Sequence, residues 1–110
     1  MAKGIMVVES APSSPEREAE YHAWYDGEHI PAILKVPGFL SARRFRRRDD
    51  LRGEAGADRP PFLAIYEFEA EDLGAPLAEL SAASAAGRTA SSDVLQTSPP
   101  PVISIYELLD

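Results

Sequence analysis

Two runs of this chain are apolar at odd and even positions alike: Phe62, Tyr66 and Phe68 alternate with Leu63 and Ile65, and Val102 and Tyr106 alternate with Ile103 and Ile105. Successive side chains of a strand point to opposite faces, so strands of this kind need apolar cover on both sides. A chain of 110 residues has room for a few strands and two short helices. Two short helices cover one face of a sheet, and the other face is then exposed apolar area that a soluble monomer rarely tolerates. The pattern implies a homodimer, sheet against sheet.

The other elements follow from periodicity and breakers. Gly4 to Glu9 is a first strand, ended by Ala11-Pro12-Ser13-Ser14-Pro15. Ser14 as N-cap, Pro15 at the first helical position and Glu16, Glu18 and Glu20 in the first turns predict a helix from about Pro15 to Asp26. It continues irregularly toward Lys35, with Pro31 expected to stop the regular part because Ile30 before it is pushed out of helical geometry. Pro37-Gly38 turns the chain into a second strand, Phe39 to Arg48, and the polar stretch Asp49 to Pro60 reads as a long hairpin loop. Phe62 to Glu69 is the third strand. Leu73, Leu77 and Leu80 at i, i+4 and i+7 mark a second helix opened by Glu71-Asp72, although Gly74 and Pro76 weaken its first turns. Arg88 to Pro101 is an irregular return, and Val102 to Leu108 closes the chain as the fourth strand. Ile65-Tyr66-Glu67-Phe68 is echoed forty positions later by Ile105-Tyr106-Glu107-Leu108. The order is β-α-β-β-α-β, an α+β arrangement with a four-stranded antiparallel sheet and both helices on one face. One domain over residues 1–110 accounts for the whole chain.

Composition removes several function classes. Cysteine is absent, so disulfides, thiolate nucleophiles and sulfur-ligated zinc are excluded. The net charge of -7 argues against a general nucleic-acid binder. No run approaches the roughly 18 to 20 apolar residues that span a bilayer, and the N-terminus lacks a small-residue cleavage pattern, so the expected setting is the cytoplasm with no membrane partner. No Gly-rich phosphate loop, nucleophile elbow or dinucleotide fingerprint is present, and no cofactor is expected.

Chemistry concentrates in Trp24-Tyr25-Asp26-Gly27-Glu28-His29-Ile30-Pro31, where aromatic rings and an imidazole share a helix end. His29 has an ordinary pKa near 6.5, suited to proton shuttling, although a histidine there also caps carbonyls and gains from the helix dipole. Trp24, Tyr25 and Tyr21 form an aromatic patch able to stack a flat ligand, or equally a piece of core. Tyr66 sits mid-strand, where a buried phenol needs either a protein partner or a ligand oxygen. His22, Asp26 and His29 at i, i+4 and i+7 have metal-ligand spacing, but with no fourth ligand evident no metal is expected. Arg43, Arg44, Arg46, Arg47, Arg48 and Arg52 read as a charged edge strand paired with Asp49, Asp50 and Glu54. One inward arginine, Arg43 or Arg44, is available for a ligand carboxylate.

Trp24-Tyr25, Glu28-His29, Pro31, Val36-Pro37-Gly38-Phe39, Ala42-Arg43-Arg44-Phe45 and Leu63-Ala64-Ile65-Tyr66-Glu67-Phe68 together resemble the dimeric α/β-barrel proteins, in particular the EthD-like and related uncharacterised branches. The resemblance implies a ferredoxin-like monomer, a barrel made of two sheets, and one cleft per subunit between helices and sheet. The wider superfamily includes cofactor-free quinone-forming monooxygenases, muconolactone isomerases, polyketide cyclases, haem-degrading enzymes and proteins without assigned activity, so the fold does not choose among them. His29, Trp24 and Tyr66 match its cleft-lining positions, whereas Gly27 stands where similar sequences tend to carry a charge. The expectation is a barrel that binds a small apolar or aromatic, polyketide-like molecule. His29 and Tyr66 are its catalytic pair, and Trp24, Tyr25, Tyr21, Phe39 and Arg43 bind the substrate. Cofactor-free proton-transfer chemistry is the leading reading: isomerisation, cyclisation or oxygenation. A non-catalytic binding or assembly protein is its rival, and a haem protein ligated by His29 is a third possibility.

Overall fold

The computed structural model describes residues 1–52 and 58–110, in which strand β1 (Ala2–Ser10) takes an inner place in the sheet. It pairs antiparallel with β3 (Phe62–Ala70) on one side and with β4 (Val102–Glu107) on the other, while β2 (Phe39–Arg46) pairs with the outer side of β3. The order β2-β3-β1-β4 makes a four-stranded antiparallel sheet. Of the two doubly apolar runs, β3 takes an inner place and β4 an edge, and the arginine-rich β2 is the other edge, where charge discourages further pairing.

Both helical stretches lie on one face. Met6, Val8 and Ser10 of β1 and Phe62, Ala64, Tyr66 and Phe68 of β3 are buried beneath them, with Tyr21, Trp24, Tyr25 and Ile33 from the first stretch and Ala83 from the second completing the core. On the opposite face Ile5, Val7, Leu63 and Ile65 are only partly covered, and Phe45 and Tyr106 are 46% and 57% exposed. The duplicated Ile-Tyr-Glu segments thus face opposite ways, since Tyr66 stands opposite Met6 whereas Tyr106 stands opposite Ile5.

The first helical stretch departs from expectation in one respect: Pro31 does not end it. A 3₁₀ turn (Pro15–Arg17) leads into α1 (Glu18–Trp24), a π turn spans Tyr25–His29, and α2 (Ile30–Ile33) carries Pro31 within it. A proline inside an α-helix lacks a donor and presses its ring on the carbonyl four residues back, here that of Gly27. The wider π turn, sealed by the Ile30 N–H donating to the Tyr25 carbonyl five residues earlier, accommodates the ring without breaking the rod. Ser14 stands at the start as expected, but extended and without a side-chain cap.

Gly38 has φ 98°, and a Cβ there would fall 2.6 Å from Pro76 Cγ, so the turn that feeds β2 requires glycine both conformationally and sterically. Immediately after it a register shift between Phe39 and Ser41 places an extra residue in β2. Parity is reversed from there on: Phe39, Ala42, Arg44 and Arg46 face the helices, and Arg43 and Phe45 face the open side. A helical turn α3 (Asp49–Arg52) follows, its neighbourhood bearing the pairs Arg47–Asp49 (2.9 Å) and Arg48–Asp50 (2.7 Å). The expected partner Glu54 and much of the hairpin loop lie outside the described residues. The second long helix, α4 (Gly74–Ala85), starts where Asp72 Oδ1 accepts the Gly74 N–H at 2.9 Å, and Leu73, Leu77 and Leu80 pack on the core. No described helix is long and apolar enough to cross a membrane.

Candidate functional site

Between the π turn, α4, the return segment and the sheet lies a cleft of about 230 Å³. Its walls are apolar, from Met6, Val8, Ile33, Leu80, Leu95 and Ile103, and its polar groups are Ser10, Tyr25, His29, Tyr66, Ser84 and Thr89. None of these side chains carries a formal charge when the imidazole is neutral. The cleft opens toward edge strand β4, where Ile103 remains 60% exposed because the helices stop short of it.

The π turn places His29 on this wall. In a helix with i→i−4 bonding, residues five apart do not share a face, but here Trp24 stacks on the imidazole (4.7 Å between centroids, 25° between planes) while Tyr25 meets it edge-on at 5.2 Å. His29 Nδ1 donates to the Thr89 carbonyl at 2.6 Å, since a carbonyl can only accept. The neutral ring therefore carries its proton on Nδ1 and presents an unprotonated Nε2, which has no protein partner among the described residues. Burial pushes the imidazole below its ordinary value, partly offset by the Thr89 and Ala90 backbone, so near neutrality the ring is uncharged and able to accept a proton.

Tyr66 supplies the second polar feature. Its hydroxyl is fully buried and has no hydrogen-bond partner among the described residues, and burial, reinforced by neighbouring Tyr25, pushes its pKa well up. Burial likewise raises Tyr25, whose phenol lies beside Tyr66 and Ser10. Both phenols stay protonated and can donate. A buried polar group left unpaired costs about 1 to 3 kcal/mol, which a bound oxygen would recover.

The remaining sequence candidates take other places. Tyr21 is buried with its hydroxyl bonded to Ser10 Oγ at 2.6 Å, behind the cleft rather than on its wall. Trp24 turns its Nε1 to the Ala90 carbonyl at 2.6 Å and backs His29 without lining the cleft. Phe39 stacks on Phe68 in the core, with centroids 5.2 Å apart, away from the opening. Arg43 is on the open sheet face, paired with Glu67 at 3.2 Å and largely exposed, so the cleft does not reach it. The inward arginine is Arg44, sent there by the β2 bulge. Its guanidinium lies over the Tyr25 ring (4.4 Å) and the Tyr21 ring (5.3 Å), and bonds Asp26 Oδ1 at 3.2 Å and His22 Nδ1 at 3.0 Å. It thus occupies the space between two of the three residues with metal-ligand spacing, while the third, His29, turns to Thr89. Arg44 fixes Tyr25 from behind and does not itself line the cleft.

A wider groove of about 560 Å³ at another place, lined by Ile5, Leu40, Phe68, Tyr106, Leu108 and Leu109 among others, has no imidazole. It lies at the margin of the bare sheet face.

Searches of family models and of curated proteins match nothing. Solved structures do match over almost the whole chain. A protein from Shewanella loihica PV-4 described as a candidate monooxygenase is 13% identical, with a TM-score of 0.60 over 100% of this chain and 98% of that one. An EthD family protein from Bacillus halodurans C-125 is 18% identical, with a TM-score of 0.56 over 99% and 100% of the two chains. A dimeric ferredoxin-like protein of unknown function from Jannaschia sp. CCS1 is 19% identical, with a TM-score of 0.51 over 96% and 99%. Identities this low speak for fold alone, and on that level the sequence resemblance is matched. The chain has the ferredoxin-like α+β fold, with an EthD family protein and a dimeric ferredoxin-like protein among its structural neighbours.

Proposed function

We propose that the cleft binds a small, uncharged, largely apolar or aromatic molecule and that His29 acts on it as general base and then acid. The observation that carries this reading is the pairing of an imidazole held with Nδ1 protonated and a buried Tyr66 hydroxyl without a partner, both on the wall of one open, apolar cleft. Nε2 would take a proton from an acidic C–H or O–H of the ligand, and Tyr66 would donate to the oxygen on which charge develops. Proton-transfer chemistry of this type serves isomerisation, cyclisation or the oxygenation of an acidic phenol. The subunits would pair through their bare sheet faces.

A non-catalytic binding protein using the same cleft is the alternative from another class. An open cleft with the imidazole on its wall favours a ligand in either case over a module in which only the sheet face matters. Native mass spectrometry of purified protein for a co-purifying molecule tests the binding, with 2-naphthol and 2-naphthoate as probes. The naphthol is expected to bind the more tightly, because no cation among the described residues lines the cleft, and equal or stronger binding of the carboxylate would refute the reading. Once a substrate is known, His29→Ala should lower turnover by about 10²- to 10⁴-fold with the fold intact.

A further inference from the structure

The sequence between α4 and β4 contains no feature that marks it as functional, yet it holds the one non-glycine residue with positive φ among the described residues, Ala90 at φ 54°. L-residues avoid this region because Cβ crowds the backbone, and an alanine found there is held by its surroundings. The constraint comes from two side chains of the first helical stretch. The carbonyls on either side of the Ala90 Cα, those of Thr89 and Ala90, accept from two different rings: His29 Nδ1 and Trp24 Nε1, each at 2.6 Å. The two rings are stacked on each other 4.7 Å apart, so both carbonyls must approach the same side. In an extended chain successive carbonyls point in opposite directions. A helical conformation of either hand brings them to one side, and Ala90 adopts the left-handed one.

We infer that Ala90 is a positioning residue: its left-handed backbone turns two consecutive carbonyls onto the Trp24–His29 stack, which fixes the proton of His29 on Nδ1 and leaves Nε2 as the base facing the cleft. The inference rests on the reading of His29 as that base. It replaces the carboxylate that usually orients a catalytic imidazole with a neutral peptide group. A carboxylate would stabilise the imidazolium strongly, whereas peptide carbonyls orient the ring while leaving it uncharged, in keeping with the lowered pKa. Trp24 gains a role by the same geometry. It serves the site from behind, as a second anchor of the strap and a plate against the imidazole, in place of the ligand wall expected from its sequence position.

The test is a long-range ¹H–¹⁵N spectrum of the histidine side chains, which distinguishes an Nδ1–H from an Nε2–H imidazole and needs no substrate. Wild-type protein should show His29 as Nδ1–H. Ala90→Gly, which takes the same backbone conformation freely, should keep that signature. Ala90→Val, whose branched Cβ opposes it, should shift the population toward Nε2–H. An Nε2–H imidazole in the wild type, or a folded Ala90→Val with its Nδ1–H unchanged, overturns the inference. If Ala90→Val does not fold, the wild-type and Ala90→Gly spectra decide, and loss of the Nδ1–H signature in Ala90→Gly also overturns it. Titration with 2-naphthol is a separate readout, and its failure strikes at the cleft as a ligand site, not at the backbone device.

Discussion

Tyr66 combines two demands that oppose each other. Its hydroxyl is buried without a partner, which costs stability, and it is placed where a ligand oxygen could use it. Tyr66→Phe should therefore raise the free energy of unfolding by about 1 kcal/mol or more while weakening ligand binding about tenfold. Urea unfolding and probe titration of the one variant check both, and a destabilised variant would mean that the hydroxyl has a partner after all. His29 gives a pH prediction. The groups in contact with its ring are Trp24, Tyr25, Thr89 and Ala90, none of them charged, and burial holds its pKa below 6.5 in the fold. The unfolded chain takes up this proton near 6.5, so between that value and the lowered one the unfolded state binds more protons. Stability should fall as pH drops through this window and stay level above it on this group's account. Unfolding measured from neutral pH down to about 5 should show a shallower loss in His29→Gln than in the wild type. His29, Tyr25 and Tyr66 were legible in the sequence because residue type and position within an element already place them near a cavity. Trp24 was not, since nothing local says that its indole N–H is claimed by a carbonyl sixty-six residues away.

At the level of elements, two local irregularities decide what the site contains. The bulge after Phe39 exchanges the roles of neighbouring arginines, and strand periodicity read from Phe39 onward assigns Arg43 to the wrong face. Arg44→Ala should destabilise by about 1 to 3 kcal/mol, because it removes a guanidinium stacked on Tyr25 and bonded to Asp26 and His22. Arg43→Ala should stay within about 0.5 kcal/mol, since its pair with Glu67 is exposed. Thermal unfolding of the two variants side by side would reveal the parity of β2 directly, and equal effects would place the register shift elsewhere. The second irregularity is the π turn. Proline chemistry predicted a stop at Pro31, and the helix continues instead, because a wide turn just before the ring relieves the conflict that would otherwise break it. Such a turn has no composition of its own, so neither it nor the doubled aromatic contact to His29 could be read beforehand.

For the molecule as a whole, element order and the two-sided apolar strands carried the argument, and both are properties a sequence displays openly. The sheet is covered on one face and bare on the other, with Ile5, Val7, Leu63 and Ile65 at the centre of the bare side. A glutamate at that centre would be buried unpaired in a sheet-to-sheet dimer and harmless on a monomer. Ile65→Glu should accordingly lower the sedimenting mass to that of one chain while leaving the far-ultraviolet dichroism unchanged. A wild-type chain that sediments as a monomer would remove the dimer from the reading. What the whole sequence did not display is where the cleft opens, which depends on how far the helices extend over β4.

In evolutionary terms a π turn is an α-helix that has accepted one inserted residue. Gly27, exposed and with nothing near the place where its Cβ would be, is the position at which that residue could again be lost without a steric obstacle. Deleting its codon would turn the bond between the Ile30 N–H and the Tyr25 carbonyl into an ordinary i→i−4 bond and let the helix rewind to 3.6 residues per turn, with Trp24 and Tyr25 then four and three positions before the imidazole. Both spacings share one face of an α-helix, so a lineage with a gap of one position here would keep the two rings beside the imidazole, and a loss of the chemistry would have to be read from His29 itself.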